Sequence, residues 1–446
     1  MSLRLLSDSE IAWSRINPQA WCNLCRSVSV AGRVELAKLR AAISSLQGRL
    51  PELGACLIRE ARGIKFVRST DAIKIRCLNV ETREDIVRAI EQELAEPVGS
   101  EGTPLMRVTL FRESGAEQTT LLLTCHHAII DRNSVMNLLD TFVEELTGVS
   151  EPQPPSFPPR SQVDEGPHLG WPRYLQKQAR LRLRSSAKIA ARHRLDQAGE
   201  TRIAIRRYSP DTISALMDGA RRRGVTLTGL LVAASMKSYA ALSQGDRPVA
   251  YSVAADLARG ERFASVGSRV GLLQDTLDGV VGKQTAELAA DVVERIQDAL
   301  ARGEDRLSAR FFAKVAPILG WLAGRRPFRL GGLTVTNLGR LDLPSPAKPF
   351  GIVETFGVVT NTRIFYDVAV HANTVADRLV ISLTTSVLTD AAFRQFSDDL
   401  DRHLLQSVGL DVSVGESKSR SPLQAHAPAP IPEDPSVAAR VAGGHA

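Results

Sequence analysis

A chain of 446 residues with 43% hydrophobic and 24% charged residues has the composition of a soluble globular protein, and its length suggests two or three structural units. No apolar stretch reaches the roughly 18 residues needed to cross a bilayer, so a membrane span is not expected. The net charge of +7 is spread along a chain with only 5% aromatic residues. This argues against a nucleic-acid stacking platform and favours an acidic partner or an anionic cosubstrate.

The first 150 residues mix helices and strands and predict an N-terminal unit with its own core. The spacing of Ser7 and Glu10 is typical of a capping box and predicts a short first helix. Apolar residues at helical spacing predict a second helix over 36–50, which Pro51 ends. The other elements predicted before residue 125 are strands at 26–34, 52–60, 64–67, 73–78, 105–111 and 119–124 and a helix at 84–94.

Residues 121–134 read LLLTCHHAIIDRNS and join a predicted strand to a predicted helix. The run of three leucines at 121–123 is typical of a buried strand. An amphipathic helix is predicted over 135–146, with Asn133 or Ser134 as its cap. A rigid strand that ends in a loop can hold reactive side chains in a fixed position while the loop leaves room for a substrate.

Two imidazoles and one carboxylate lie at this junction: His126, His127 and Asp131. Neighbouring residues of an extended chain face opposite sides, so only one histidine is expected to face a given cavity. A neutral imidazole can remove a proton from an alcohol or amine near pH 7, because its unperturbed pKa is about 6.5. Asp131 is expected either to orient an imidazole or to pair with an arginine and hold the loop.

Other interpretations of this junction are a metal site, a cysteine nucleophile and histidines that only pack. His-x-x-x-Asp on a helix would place two ligands on one face, but no second ligand cluster is evident, so no metal is predicted. Cys125 precedes the histidines, and its side chain is expected to face away from its neighbour and to pack.

Residues 151–200 predict a crossover rather than a folded unit. The first part is rich in proline, which interrupts helices and strands alike. Arg and Lys residues then recur at helical spacing over 173–194. They predict either a solvated helix face or a docking surface for an acidic domain.

Residues 201–410 predict a second α/β unit. The predicted strands are at 201–208, 249–255, 350–359, 362–370 and 378–386, and the predicted helices are at 209–223, 226–242 and 389–405. Residues 411–446 are rich in Pro, Ala, Ser and Gly without periodicity and predict a disordered tail.

The hexapeptide HHAIID, residues 126–131, resembles the HHxxxDG signature of the acyltransferases related to chloramphenicol acetyltransferase. That superfamily includes the condensation domains of peptide synthetases and the stand-alone polyketide-associated acyltransferases. Four further phrases are similar to the family and extend the resemblance over residues 5–410: RLPELGACL, VAADLAR, GSRVGLLQDT and LTVTNLGRLD. The resemblance implies an α/β (α+β) fold of two chloramphenicol-acetyltransferase-like subdomains in a V-shaped arrangement with a central channel.

The resemblance also implies roles for individual residues. His127 falls on the family's general base and His126 on its first, structural histidine. Asp131 falls on the aspartate that braces the loop through an arginine. Arg259 is the favoured partner, with Arg262 and Arg269 as the other candidates.

The next position departs from the signature, because Arg132 replaces the usual glycine. This places a bulky cation near the mouth of the expected channel. Asn337 and Gly339, in a tight turn predicted after a strand, and the hydroxyl of Ser386 are further channel candidates.

The implied activity is transfer of an acyl group from a thioester to a hydroxyl acceptor, in polyketide, lipid or other secondary-metabolite biosynthesis. The thioester is borne by an acyl carrier protein or by coenzyme A, and no other cofactor is expected. One alternative is a free-standing condensation enzyme that forms an amide from an amine. A second is a non-catalytic homologue that binds carrier proteins, and a metal-dependent hydrolase is the most distant.

The expected compartment is the cytoplasm and the expected state is a monomer. The first ten residues, MSLRLLSDSE, lack the apolar core of a signal peptide. Five cysteines, an odd number, fit a reducing compartment. Cys22 and Cys25 form a single C-x-x-C without a second pair, so neither zinc binding nor redox chemistry is predicted there.

Overall fold

The computed structural model describes residues 2–16, 23–60, 63–99, 102–113, 118–148, 170–183, 188–195, 201–243, 247–257, 266–325, 332–343, 349–359, 366–375 and 377–410. Its helices are α1 Asp8–Ile16, α2 Leu36–Arg49, α3 Arg83–Ala95, α4 Arg132–Thr147, α5 Trp171–Leu183, α6 Pro210–Arg222, α7 Leu227–Leu242, α8 Thr285–Ala301, α9 Glu304–Arg325 and α10 Asp390–Gln406. Its strands are β1 Ser2–Leu5, β2 Asn23–Ala31, β3 Ala55–Glu60, β4 Gly63–Arg68, β5 Lys74–Val80, β6 Met106–Glu113, β7 Gln118–His126, β8 Arg202–Tyr208, β9 Val249–Asp256, β10 Val270–Leu277, β11 Leu333–Arg340, β12 Ile352–Val359, β13 Val368–Val375 and β14 Arg378–Thr385.

A five-stranded sheet in the order β12-β2-β7-β6-β5 holds the central strand β7. Leu121 and Leu123 belong to the core shared with α2 and α4, whereas Leu122 belongs to the core under α3. All three leucines are fully buried. The continuous apolar run therefore reflects a strand covered on both faces, as predicted.

The first helix is held over the start of β10 by side-chain hydrogen bonds. The predicted capping box forms, because the main-chain N–H of Ser7 donates to Glu10 at 2.7 Å. Ser9 Oγ on α1 donates to the main-chain carbonyl of Val270 at 3.2 Å. These contacts, together with the packing of α1 on α9, fix where the later residues of α1 point.

A six-stranded sheet in the order β10-β9-β11-β13-β14-β8 forms the second layer and packs on α7 and α10. Thr226 and Thr389 cap these helices through their side chains; the sequence predicts Thr389 for α10 and either Thr226 or Thr228 for α7. Among the described helices, none is individually long and apolar enough to cross a bilayer, and one pair bent by 97°, α6 with α7, meets the length and composition criteria together.

One strand of the second half completes the sheet of the first half. β12 pairs antiparallel with β2, and its Gly357 lies opposite Arg26. The division into subdomains at 1–150 and 201–410 stays a prediction. The sheet topology shows in addition that β12, from the second range, pairs with β2, from the first. The predicted crossover at 151–200 is described only at 170–183 and 188–195, and the predicted tail at 411–446 lies outside the described residues.

The sequence prediction left out the two long helices α8 and α9. Helix α9 packs against α1 and β10. Gly271 on β10 makes this close approach possible, because a Cβ atom there would lie 2.3 Å from the main-chain oxygen of Asp305.

Candidate active site

The HHAIID segment folds as the end of a strand, one helical turn and a helix cap. β7 ends at His126, and residues His127–Ile129 form a single 3-10 turn. Asp131, and not the predicted Asn133 or Ser134, caps α4, because its side chain accepts from the main-chain N–H of Ser134 at 2.8 Å. The histidine pair and the aspartate are therefore positioned by local main-chain geometry that the sequence specifies.

His126 is a structural residue of this turn. Its side chain is fully buried, and Nδ1 accepts a hydrogen bond from the main-chain N–H of Ala128 at 3.0 Å. Because Nδ1 accepts, the ring proton of the neutral form lies on Nε2. Burial, and next the charge of His127, lowers the pKa of His126 to about 3. These contacts hold the turn, and the structural role that the resemblance implies for His126 stays a prediction.

His127 is partly exposed and lies against an aromatic ring from the first helix. The rings of Trp13 and His127 stack with centroids 3.9 Å apart and an interplanar angle of 13°. Nδ1 of His127 is buried, and within the described part of the chain it makes no hydrogen bond to another residue. Burial lowers the pKa of His127 to about 4, although its own main-chain carbonyl acts in the opposite direction. The imidazole is therefore neutral at pH 7, and Nε2 is the nitrogen left to meet a substrate.

A narrow apolar cavity begins at the Trp13 ring. Its lining comes from α1, β10 and α9: Ser9, Ala12, Trp13, Ile16, Val270, Leu272, Ala309 and Phe312. Trp13 thus forms a wall between this cavity and the imidazole of His127. No sequence motif pointed to Trp13, because its contact with His127 joins residues 114 positions apart in the chain.

Asp131 braces the loop through main-chain and hydroxyl groups. Its Oδ1 accepts from Ser134 Oγ at 2.8 Å, and its Oδ2 accepts from the main-chain N–H of Arg269 at 2.9 Å. Ser134 Oγ in turn accepts from the main-chain N–H of Gly267 at 2.9 Å. Arg269, one of the three predicted partners, thus meets Asp131, while the favoured Arg259 lies outside the described residues.

Arg132 ties the start of α4 to β11. Its Nε donates to the main-chain oxygen of Leu338 at 2.6 Å, and Nη2 to that of Arg340 at 3.3 Å. Asn337 Oδ1 accepts from the N–H of Gly339, whose φ is +69°. The predicted turn after a strand is instead a register shift inside β11, which continues to Arg340. Arg132 is therefore a brace across two elements.

A polar group that the sequence analysis did not single out lies between the five-stranded and six-stranded sheets. Arg26 on β2 is only 2% exposed, and its Nη1 donates to Asn373 Oδ1 at 3.0 Å. Burial, followed by the charges of Arg26 and His127, lowers the pKa of His371 on β13 to about 3. The same two strands thus bring a buried guanidinium and a second imidazole to the neighbourhood of His127.

Ser386 is buried just beyond the end of β14 and away from this group. In the β13–β14 ladder, Ser382 is the residue opposite His371. Four residues along a strand separate Ser386 from Ser382, which is about 13 Å. Ser382, and not Ser386, therefore places its hydroxyl next to this polar group. That hydroxyl donates to the main-chain oxygen of Gly357.

The electrostatics favour an imidazole base over a thiolate. Burial raises the pKa of Cys125 far above its usual range, so its thiol stays protonated. Within the residues that the structure describes, no three or more His, Cys, Asp and Glu side chains are grouped so as to hold a metal ion.

Comparison with known proteins gives one matching family model, the condensation domain, over residues 17–305 of the 446. Among curated proteins, the nonribosomal peptide synthetase GRA1 of Gibberella zeae is 29% identical over 137 residues. That match covers 30% of this chain and only 2% of the synthetase, so the chain corresponds to a small part of that protein.

Three solved structures illustrate the similarity of fold. The first condensation domain of the CDA synthetase superposes with a TM-score of 0.66 at 14% identity, covering 92% of this chain and 97% of that chain. The trichothecene 15-O-acetyltransferase TRI3 of Fusarium sporotrichioides gives 0.67 at 12%, covering 91% and 95%. Polyketide synthase associated protein 5 of Mycobacterium tuberculosis gives 0.59 at 16%, covering 90% and 98%. This similarity confirms the predicted mixed α/β fold with two chloramphenicol-acetyltransferase-like subdomains.

Proposed function

The chain belongs to the condensation-domain family, and from that premise we propose that it transfers an acyl group from a thioester to a hydroxyl acceptor. The donor would be a thioester of a carrier protein or of coenzyme A, and no further cofactor is proposed. The expected context is polyketide, lipid or other secondary-metabolite biosynthesis. The observation that carries the proposal is the partly exposed, neutral imidazole of His127 at the end of a buried strand.

The chemistry follows from the two ring nitrogens of His127. Because Nδ1 is buried, its proton stays in place and Nε2 acts as the base. Nε2 takes the proton of the acceptor hydroxyl as the oxygen attacks the thioester carbonyl. The tetrahedral intermediate then breaks its carbon–sulfur bond, and the thiolate receives the proton from Nε2.

Direct transfer needs no acyl-enzyme intermediate. The cysteine beside the histidines is protonated and buried, which supports a route without a thiolate nucleophile. Much of the rate enhancement should then come from holding donor and acceptor together. Stacking on Trp13 adds to this positioning, because it keeps the imidazole of His127 in one orientation.

A substrate panel tests the proposed reaction. Acyl-coenzyme A and acyl-carrier thioesters of several chain lengths are incubated with matched alcohol and amine acceptors, and the products are identified by mass spectrometry. We expect ester products that require His127. Amide products alone would contradict the O-acyl assignment, and absence of both products with all donors would contradict acyl transfer.

Formation of an amide is the second candidate. The matching family model is the condensation domain, and the curated relative is a peptide synthetase, a class of enzyme that joins its units through amide bonds. The third is carrier binding without catalysis. This candidate is suggested by Arg132, which stands where the signature has glycine. Its side chain donates a hydrogen bond to the main chain of β11. Carrier binding without turnover in the substrate panel would favour this third candidate.

The pH dependence of the reaction should reflect the lowered pKa of His127. A base works in its deprotonated form, so kcat/KM should stay level as pH falls from 7 to about 5 and should drop only as pH passes through about 4. The measurement is a pH–rate profile with a single thioester. An acid limb centred near 6.5, the value of a solvated imidazole, would contradict the buried environment.

Loss of the fold at low pH has to be separated from this titration. His126, His127 and His371 all have a lower pKa in the folded chain than in the unfolded chain. The unfolded chain therefore binds more protons below about pH 6.5, and stability falls as pH decreases from there. Circular dichroism at each pH identifies the range in which the rate profile reports on the folded enzyme.

A further inference from the structure

A cationic cavity lies between α1, α5 and α9. Its volume is about 330 Å³, and its lining includes the side chains of Arg15, Arg310 and Lys314 and one carboxylate, that of Asp8. Among the described residues of the lining, three positive groups therefore face one negative group. Trp171, the first residue of α5, adds an indole ring to the lining.

Within the part of the chain that the structure describes, the contacts of these side chains compensate little of the positive charge. Arg310 Nε and Asp8 Oδ2 are 3.9 Å apart and both side chains are about half exposed, so their attraction is weak. Arg15 donates to a main-chain oxygen of α9 at 2.7 Å, which holds its guanidinium in the wall. Lys314 Nζ lies 4.6 Å from the centre of the Trp171 ring. The cavity is thus suited to an anion.

The cavity and the candidate base lie on opposite sides of one helix. Asp8 and Arg15, seven residues apart on α1, line the cationic cavity, whereas Trp13 projects about half a turn away and stacks on His127. An α-helix with its side chains is about 10–12 Å across. An extended chain anchored in the cavity would pass around α1 to reach the imidazole.

A thioester donor carries an anion of the kind that this cavity suits. Coenzyme A and carrier proteins both present the thioester at one end of a phosphopantetheine arm, with a phosphate at the other end. Resting on the acyl transfer proposed above, we propose that the cationic cavity binds the phosphate of the donor's phosphopantetheine arm. A phosphate accepts hydrogen bonds from several cationic groups at once, as the clustered Arg and Lys side chains allow.

A binding experiment tests the site without any turnover. Calorimetric titration compares coenzyme A, phosphopantetheine and pantetheine, the last of which lacks the phosphate. We expect pantetheine to bind about tenfold more weakly than phosphopantetheine, because a hydrogen bond between charged groups is worth at least that factor. The difference should shrink as salt is raised.

A double variant identifies the residues responsible. Arg310→Gln with Lys314→Gln should remove the preference for phosphopantetheine over pantetheine. The matched control is Arg221→Gln with Arg222→Gln, which removes the same charge from the last turn of α6. Equal binding of phosphopantetheine and pantetheine, or equal loss in the two double variants, would overturn the proposal.

Turnover then distinguishes the two sources of the phosphate. The donor is the acyl-carrier thioester or the acyl-coenzyme A, whichever the protein turns over. With that donor, the KM of the Arg310/Lys314 variant should be about tenfold higher than that of the unaltered protein, and kcat should stay within about twofold. With an acyl-pantetheine thioester, KM should not change. A kcat effect on the acyl-pantetheine thioester would overturn the phosphate assignment. Phosphate-dependent binding without turnover of any thioester would leave this site standing and remove the proposed reaction.

Discussion

Replacement of His127 by alanine should reduce kcat/KM for acyl transfer by roughly 10²–10⁴-fold, the usual contribution of a general base. The variant has no group at this position to take the acceptor's proton. The fold should survive, because the described contact that is lost is the stacking on Trp13, worth about 1 kcal/mol. The measurements are single-thioester kinetics and the urea midpoint of the purified variant.

The control for this variant is His403→Ala. His403 lies on α10, and burial lowers its pKa to about 4, much as for His127. Transfer should be unaffected by its loss, which separates a catalytic imidazole from one that merely has a low pKa. An active His127→Ala protein, or an equal decrease in the control, would remove the catalytic assignment.

Replacement of Asp131 by alanine should lower the free energy of unfolding by about 2–4 kcal/mol. The helix cap of α4 is lost, and the buried N–H groups of Ser134 and Arg269 no longer have their acceptor. Activity should fall as well, because the same carboxylate holds the loop that follows His127. Urea unfolding monitored by circular dichroism gives the change in stability.

Asp131→Asn is the matched variant. Its amide oxygen can still accept from Ser134, so the loss should be about 1 kcal/mol. Burial raises the pKa of the Asp131 carboxyl, while the hydrogen bonds from Ser134 and the charge of Arg269 act in the opposite direction. A loss for Asp131→Asn as large as that for Asp131→Ala would show that the charge, and not the acceptor oxygen, holds the loop.

Local signals in the sequence predicted most of the elements around the histidines. The leucine run identified β7, the Ser7 spacing identified the start of α1, and Thr389 identified the cap of α10. Each of these features depends on residues within a few positions of one another. In contrast, α8 and α9 were not predicted, although α8 has apolar residues at helical spacing that would have identified it.

Long-range contacts limited the prediction of partners at the site. Asp131 was expected to pair with an arginine, and it accepts from the main-chain N–H of Arg269, whose charge also acts, against the effect of burial, to lower the pKa of this carboxyl. Arg132 was expected at a channel mouth and donates to carbonyls of β11. Arg26 could have been noticed as a single charged residue within an otherwise uncharged strand, but its partner Asn373 lies 347 residues away.

The sequence by itself determined the strand, turn and helix that carry His126, His127 and Asp131, because these depend on hydrophobic run length and on caps between near neighbours. Only the tertiary structure decided what packs around this segment: Trp13 from α1, Arg269 before β10, and Arg26 and His371 from strands of two sheets. The physical reason is that burial and charge lower the pKa of an imidazole only when distant segments have packed around it. The cationic cavity has the same origin, since α1, α5 and α9 each supply part of a surface that no single segment contains.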